Sequence, residues 1–293
     1  MANRRMLVKR RQAAQNIRKI TRTMQLIATA RFQAAHQRAV AGQPYAEKLA
    51  EMVADLGRAA KGIDHPLMKT NDEIDRSSVL VLTSTRGLCG GYNANVLRTA
   101  TSFLDEVGER GAETETRVVG KKGVNYFRFV GRDIDEAITE IGETPRFDQV
   151  EPIANAIIDA FVRGEISSAN VVYMKFLSAG RQTPVVEQLL PLAVDEPAGE
   201  EGAASQREIQ YEFSPDPREL LDELLPATLR VRLFQAFNDA AVSEQIARMV
   251  AMKAATDAAG DMIKRLTQQY NRARQTAITM ELLDIVGGAA ALG

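Results

Sequence analysis

The sequence predicts an α/β protein in which a long N-terminal and a long C-terminal helix pair as an antiparallel coiled coil, with a central open α/β domain, Rossmann-like in type, inserted between them. Residues 227–286 contain no proline and one glycine, and residues 3–41 contain neither. Both stretches are rich in strong helix formers. Roughly from 75 to 213, short β-branched runs alternate with helix-like segments instead. We therefore predict an N-terminal coiled-coil helix at 1–60, the α/β domain at 75–213 and a C-terminal coiled-coil helix at 217–293.

A stripe of apolar and small residues predicts the seam of the C-terminal helix. Its members recur at steps of three or four: Met252, Ala255, Ala259, Met262, Leu266, Tyr270, Ala273, Ala277 and Met280. Such spacing is typical of a coiled coil, here with one additional four-residue step that relaxes the supercoil locally. A seam of this kind requires a partner helix.

The N-terminal segment carries a matching stripe and is the predicted partner. Its members are Ala13, Ile17, Ile20, Met24 and Ile27. Gly42 and Pro44 interrupt the pattern, and Tyr45–Ala60 resumes it, so we expect a kinked continuation of the helix.

The middle of the chain predicts an open sheet with helical crossovers. The predicted strands are Ser78–Ser84, Thr116–Val119, Ala137–Ile141, Asn170–Leu177 and Val185–Leu192. The predicted helices are Tyr92 to about Arg110, Lys122–Val130 and 148–163. Residues 195–207 are predicted to be an exposed loop, and Glu208–Phe213 an edge strand.

A glycine-rich turn, Thr85–Gly91, follows the first predicted strand and precedes a helix, which is the setting of a phosphate-binding loop. Its G-x-x-G-G spacing matches neither the dinucleotide fingerprint nor a Walker loop, and favours a tight turn with close helix–strand packing. Cys89 is interpreted as a small core residue. The two histidines, His36 and His65, have no catalytic constellation near them in the sequence. We predict no catalytic residue, cofactor or metal.

The charge is unevenly distributed. The net charge is −1, but residues 1–46 contain ten Lys and Arg and no acidic residue. Three interpretations stay open: a mitochondrial transit peptide, an arm that binds nucleic acid, and a basic helix that meets an acidic protein surface. Neither an aromatic platform nor a zinc pattern supports the nucleic-acid interpretation.

Four blocks of sequence resemble the gamma subunit of F-type ATP synthases. They are Ile278–Ala291 (ITMELLDIVGGAAA), Lys19-Ile20-Thr21 with Met24, Thr85–Gly91 (TRGLCGG) and Ser243–Asp257 (SEQIARMVAMKAATD). The resemblance covers essentially the whole chain. It implies a central rotor shaft inside a ring of three alpha and three beta subunits. It also implies that the α/β domain, with the epsilon subunit, rests on the ring of c subunits.

The resemblance further implies how such a shaft works. Rotation of the c ring is coupled to conformational change, and so to ATP synthesis or hydrolysis, at three catalytic beta subunits, while the shaft catalyses nothing alone. No nucleic acid takes part, and the membrane is met only through the complex. The expected location is the cytoplasmic face of a bacterial inner membrane, or alternatively the matrix side of the mitochondrial inner membrane.

Residue roles also follow from the resemblance. The positions that would contact alpha or beta are Met24, Arg248, Arg274, Gln275, Thr279 and Glu281. The positions of the foot, near epsilon and the c ring, are Tyr211, Phe213 and Ser214. Seam packing is the competing interpretation for Met24, and a solvated helix face for Arg248. The alternative function is a coiled-coil adaptor with a nucleotide-sensing α/β domain.

Overall fold

The computed structural model describes residues 2–59, 65–69, 74–192 and 217–290. Within these ranges the helices are α1 (Ala2–Ala59), α2 (Tyr92–Glu109), α3 (Lys121–Phe129), α4 (Phe147–Val162) and α5 (Pro217–Ala290), with a short 3₁₀ helix at Pro66–Met68. The strands are β1 (Arg76–Leu82), β2 (Glu113–Val119), β3 (Glu136–Ile138), β4 (Ser168–Ser178) and β5 (Arg181–Leu190). Each predicted helix and strand that falls within these ranges is present, with ends that differ by a few residues.

The backbone divides into two compact units. One consists of residues 1–30 and 248–293, and the other of residues 31–247. Helices α1 and α5 each contribute residues to both units.

The larger unit contains a five-stranded sheet in the order β3-β2-β1-β4-β5. Strands β3, β2, β1 and β4 are parallel, and β5 pairs antiparallel with β4. Helices α2, α3 and α4 make the crossover connections. This is the open α/β sheet that the alternation of segments predicted.

Strand β1 is buried on both faces, which explains its unbroken apolar run. Val79 and Val81 pack with α2 and α3 on one face. Leu80 and Leu82 pack on the other face with α4 and with the 217–247 part of α5. Helix α5 is thus part of the core of this unit.

Two glycines fit β2 and α3 against the end of β1. Gly120 has φ 92°, and a Cβ there would lie 2.2 Å from the carbonyl oxygen of Thr83. The Thr83 hydroxyl donates to the Val119 carbonyl at 2.7 Å and accepts from the Gly123 N–H at 2.9 Å. Only glycine permits this close approach.

In the smaller unit, α1 and α5 pack antiparallel. The Arg11 guanidinium lies 5.3 Å from the centre of the Tyr270 ring. Further along α1, the hydroxyls of Thr21 and Thr256 are hydrogen-bonded at 2.8 Å. The partner position on α5 therefore falls as the position on α1 rises, which confirms the predicted antiparallel direction.

The same antiparallel order holds inside the larger unit. Ala35 and Ala39 of α1 form a buried cluster with Val242 of α5. Further along α1, the nearest side-chain atom to Gly42 belongs to Gln235. Helix α1 runs through Gly42 and Pro44 as one helix.

The predicted register of α1 is wrong by one residue. The residues buried on α1 are Leu7, Ala14, Thr21, Ala28, Ala35, Ala39, Leu49, Val53 and Leu56, and all but Ala39 and Val53 recur at seven positions or a multiple of seven. Ile17, Ile20 and Ile27 of the predicted stripe are instead 51%, 59% and 46% exposed. The seam uses small side chains because they let two helices approach closely, and the larger isoleucines therefore lie outside.

On α5 the prediction is correct at most positions. The observed seam follows regular steps of four and three: Met252, Thr256, Ala259, Ile263, Leu266, Tyr270, Ala273 and Ala277. Met262 and Met280 were predicted wrongly, since both are exposed. The additional four-residue step is absent, so the seam keeps a plain heptad repeat.

Helix α5 begins at Pro217 and passes through Pro226 without ending there. Proline removes one hydrogen bond of a helix. The fully buried Leu225, Leu229 and Leu233 offset this loss, because burying each leucine contributes about 1.5–3 kcal/mol.

Some predictions fall on residues that the structure does not describe. They concern the loop at 195–207, the edge strand Glu208–Phe213, and the foot residues Tyr211, Phe213 and Ser214. These stay predictions.

Replacing Gly120 by alanine should destabilise the larger unit more than the same change at Gly111. Both glycines have positive φ, but only at Gly120 would the new Cβ meet backbone atoms. A positive φ costs a residue with a side chain roughly 1–3 kcal/mol at either site, and the Gly120 variant has the steric clash in addition. Urea unfolding of the full chain measures the difference. Equal losses in the two variants would contradict the proposed close packing.

Replacing Ala259 and Ala273 together by leucine should loosen the helix pair of the smaller unit. Overpacking of a seam costs about 1–3 kcal/mol per site. The matched control places leucine at Ala254 and Ala258, which are exposed on the same helix. Thermal unfolding followed by helical circular dichroism compares the two double variants. If they unfold alike, the register described for α5 is incorrect.

Candidate functional site

The outer surface of the smaller unit is unusually apolar. On α1 the exposed large apolar residues are Ile17, Ile20, Leu26 and Ile27. On the last turns of α5 they are Ile278, Met280, Leu282, Leu283, Ile285 and Val286. Clusters of exposed apolar side chains mark surfaces that contact other proteins. The isoleucines were predicted to lie in the seam, so this exposed surface on α1 was not predicted from the sequence.

Positive charge accompanies the apolar surface. Lys264, Arg265, Arg272 and Arg274 are exposed on α5, in a segment without acidic residues. An open groove of about 570 Å³ lies between the ends of the two helices, lined by Leu7, Ala273 and Ala277 with Arg4, Arg272 and Glu281 among its polar members. An acidic and partly apolar protein surface would complement this composition.

The residues predicted to contact partners occupy different environments. Arg274, Gln275, Thr279 and Glu281 are exposed on α5. The Thr279 hydroxyl donates to the Gln275 carbonyl at 3.0 Å, within the helix. Met24 is half-buried, so seam packing and contact with a partner are both compatible with its position.

Arg248 has an environment that the sequence did not indicate. Its residue is 6% exposed, so it does not lie on a solvated helix face. A buried guanidinium needs hydrogen-bonding or charged partners, and this makes Arg248 sensitive to substitution.

The glycine-rich turn is built around its own side chains. Gly90 has φ 56°, which a tight turn requires, and Leu88 has φ 64°. The Ser84 hydroxyl donates to the Arg86 carbonyl at 2.6 Å, and the Asn93 amide donates to the Cys89 sulfur at 3.3 Å. Cys89 is buried in the core of one sheet face. The structural interpretation of this turn is therefore correct.

The space near the carboxyl ends of β1 and β2 is filled. Nucleotide-binding α/β proteins hold their ligand in a crevice at the carboxyl ends of the strands. Here Phe237, Ala240 and Glu244 of α5 lie against Thr83 and Tyr92, and a cavity of about 40 Å³ remains. Ligand pockets usually measure about 300–1,000 Å³. A cavity of this volume has room for a water molecule but not for a nucleotide.

The two histidines have structural roles. The His65 Nδ1 accepts the Leu67 N–H at 3.1 Å, while Nε2 lies 3.1 Å from the Asp222 carboxylate. Burial lowers the pKa of His65, against the opposing effect of Asp222. His36 packs against Phe32 of the same helix and Phe176 of β4.

A second feature that the sequence did not indicate is a run of buried polar residues on α5. Its members are Asn238, Asp239, Ser243, Glu244 and Gln245. The only indication in the sequence is that this segment of a long helix lacks a clean apolar stripe.

Within the described residues, no helix combines the length and the apolar character needed to cross a membrane. In the same residues, no three His, Cys, Asp or Glu side chains are grouped so that they could hold a metal ion.

Solved structures with a similar fold come from ATP synthases. A chain in the cryo-EM structure of the Euglena gracilis mitochondrial ATP synthase, comprising OSCP, F1 and c-ring, matches with a TM-score of 0.64 at 16% identity, covering 99% of this chain and 95% of that one. A chain of the central stalk and c-ring structure from the Tetrahymena thermophila enzyme matches with a TM-score of 0.59 at 18% identity, covering 80% of this chain and 99% of that one. At such identities the likeness concerns the fold alone.

Sequence comparison is more specific. A family model described as ATP synthase matches residues 3–292. The ATP synthase gamma chain of Rhodopirellula baltica is 45% identical over 294 residues, covering 100% of this chain and 99% of the relative. The gamma chain of Frankia casuarinae is 42% identical, covering 97% and 96%. That of Legionella pneumophila is 40% identical, covering 94% of each. The chain therefore belongs to the ATP synthase gamma chain family.

Proposed function

We propose that this chain is the central rotor shaft of a proton-translocating F-type ATP synthase. The observation that carries the proposal is an antiparallel helix pair with exposed apolar and basic side chains, in a member of the gamma chain family. A regular heptad seam gives such a pair the stiffness that torque transmission requires.

The proposed partners are the alpha and beta subunits around the helix pair, and the epsilon subunit and c ring at the α/β domain. The solved structures with similar folds comprise the F1 part, the central stalk and the c-ring of mitochondrial ATP synthases. The exposed isoleucines of α1 and the apolar end of α5 suit contact with the inner surface of a protein ring. Apolar contacts are not directional, so they do not hold the shaft at one rotational angle.

Asymmetry supplies the mechanism. One shaft presents a different face to each of three chemically identical catalytic sites. A shaft contact can be stronger with one conformation of a beta subunit than with another. It then shifts the equilibrium between these conformations by the difference between the two contact free energies. As the shaft turns, each site passes through the conformations in order, and its affinity for nucleotide changes with them.

Individual residues are assigned to this mechanism by proposal. The exposed Arg274, Gln275, Thr279 and Glu281 would contact alpha or beta, as would the half-buried Met24. The buried Arg248 would act at the base of the helix pair, where its loss would disturb packing and contact together. Tyr211, Phe213 and Ser214 stay a proposal for the foot, and so does the division into 1–60, 75–213 and 217–293.

We further propose that the chain is not catalytic alone. The filled space near the carboxyl ends of β1 and β2 argues against the alternative of a nucleotide-sensing adaptor, since Phe237 and Glu244 lie where a nucleotide would bind. The proposed location is the cytoplasmic face of a bacterial inner membrane, reached through the complex, because the relatives reported above are bacterial. The alternative is the matrix side of the mitochondrial inner membrane.

Reconstitution tests the proposed function. The purified chain should neither bind ATP tightly nor hydrolyse it. Added to alpha and beta subunits that lack a gamma chain, it should restore ATP hydrolysis, and with the membrane sector it should restore ATP-driven proton transport. ATP turnover by the isolated chain, lost on replacing Gly90 by valine, would favour the nucleotide-sensing alternative instead.

Neutralising Arg272 and Arg274 together with glutamine should weaken torque transfer to the beta subunits. The loss should grow as the salt concentration falls, because attraction between exposed charges is screened over about 10 Å at 0.1 M ionic strength. Lys253, exposed on the same helix but outside this basic segment, provides a control by replacement with glutamine. Proton transport driven by ATP is measured across a salt series. Equal transport by the double variant and the parent at low salt would exclude the electrostatic contribution.

A further inference from the structure

Strand β4 is longer than its parallel neighbour β1, and among the described strands none pairs with the remaining part of that edge. Residues Ser77–Val81 of β1 pair with Ser168–Val172 of β4. Beyond Val172, β4 continues to Ser178 and pairs only with β5. Backbone N–H and C=O groups on the β1 side of this extension need other partners, because buried backbone groups are almost always hydrogen-bonded.

Helix α5 supplies these partners from two side chains one turn apart. The Ser243 hydroxyl donates to the Met174 carbonyl at 3.1 Å. The Asp239 carboxylate faces the Phe176 N–H, and this contact opposes the rise in the pKa of Asp239. Four residues of a helix rise about 6 Å, and two residues of a strand rise about 6.6–6.8 Å. The two spacings agree, so a helix can satisfy a strand edge in this way.

The Asp239 carboxylate is held in a defined position. The residue is 9% exposed, and the Gln235 amide donates to its Oδ1 at 3.1 Å. Burial raises the pKa of Asp239 to about 6, and the charge of Glu187 adds to this rise. The hydrogen bond from Gln235, the positive charge of Lys175 and the Phe176 N–H act in the opposite direction.

Other titratable groups surround this contact. Lys175 of β4 and Glu187 of β5 face Asp239. The Tyr173 hydroxyl donates to Glu187 at 2.6 Å, and burial raises the pKa of Tyr173 well above its usual range. His36 contributes the titratable group of α1, with its ring 5.5 Å from that of Phe176. Asp239 is thus the buried acid of a mixed cluster.

The same part of β4 also contacts α1. The Phe176 ring lies 6.4 Å from that of Phe32 and packs against the buried cluster of Ala35, Ala39 and Val242. The end of β4 therefore contacts both long helices. Side chains of α5 contact its backbone, and Phe32 of α1 packs against its Phe176 ring.

We propose that Asp239 and Ser243 are positioning residues for torque transfer, because they fasten α5 to the β4 edge and prevent the helix from slipping along the sheet. The inference rests on the proposed rotor function. A force that turns the α/β domain then reaches α5 through the Ser243 hydrogen bond and the Asp239 contact, in addition to non-directional apolar packing. Apolar packing alone resists sliding poorly, since it is not directional.

The test compares variants in the assembled ATP synthase. The measured quantity is the number of protons transported per ATP hydrolysed, obtained from the two rates in the same vesicles. Replacing Asp239 by leucine together with Ser243 by alanine should lower this ratio severalfold, because the helix slips under load. Ser243→Ala alone removes one hydroxyl from a buried site and should lower the ratio by a smaller factor. If the double variant does not assemble, the ratio measured for Ser243→Ala alone tests the inference.

Two further variants separate positioning from bulk stability. Asp239→Asn keeps an oxygen that accepts the Phe176 N–H, so it should keep a ratio close to that of the parent. Glu223→Leu changes an exposed acid of α5 in the same unit and should leave the ratio unchanged. A ratio equal to the parental value in Ser243→Ala and in the assembled double variant would overturn the inference. So would a loss in Asp239→Asn as large as that in the double variant.

The pH dependence of unfolding checks that Asp239 is the buried acid. A carboxyl group whose pKa is raised on folding stabilises the fold fully below its unfolded pKa of about 4, and this contribution is lost as the pH rises through about 6. Asp239→Asn lacks the titration, so its stability relative to the parent should rise between pH 4 and pH 7. A pH-independent difference would contradict the burial on which the inference rests.

The outcomes also separate this inference from the proposed function. If the parental chain restores no proton transport, the rotor function itself fails. If the parent transports protons and the variants match it, only the role of Asp239 and Ser243 is excluded.

Discussion

The close approach of α1 and α5 is the constraint on which the rest of the structure depends. It requires small side chains such as Ala14, Ala28 and Ala259 in the buried positions. The large apolar side chains of α1, Ile17 and Ile20 among them, are consequently left on the outside. One choice of register thus produces both a stiff helix pair and an apolar exterior that suits the inside of a protein ring.

The α/β domain could be predicted from sequence because its signals are local. Buried parallel strands appear as short β-branched runs such as that of β1, and Gly90 and Gly120 mark the turns that follow two of them. The register of α1 could not be predicted in the same way. Alanine and isoleucine stripes lie one residue apart on this helix, and both satisfy heptad spacing. Assigning the isoleucines to the seam assumes that the largest apolar residues are buried within the chain itself. This assumption fails where those residues form a surface that contacts other proteins.

The residues of the candidate site that match a known family could be predicted from the sequence. Those whose role depends on tertiary structure could not. The resemblance identified Arg274 and Thr279, which lie exposed on α5. Asp239 and Ser243 could not be recognised, because their role follows from a difference in strand length. The open edge of β4 exists only because β1 pairing ends at Val172 while β4 continues to Ser178. No local pattern in the helix encodes that difference.

Helix α5 also explains how an α/β sheet of a nucleotide-binding type serves a mechanical role. In such sheets the space beyond the carboxyl ends of the strands normally receives a ligand. Here Phe237 and Glu244 lie in that region, and Ser243 of the same helical segment hydrogen-bonds the extension of β4. The helix therefore replaces a ligand and a neighbouring strand at once. A bound ligand dissociates and rebinds, whereas α5 is part of the same chain as the sheet. The attachment between the sheet and α5 is therefore permanent.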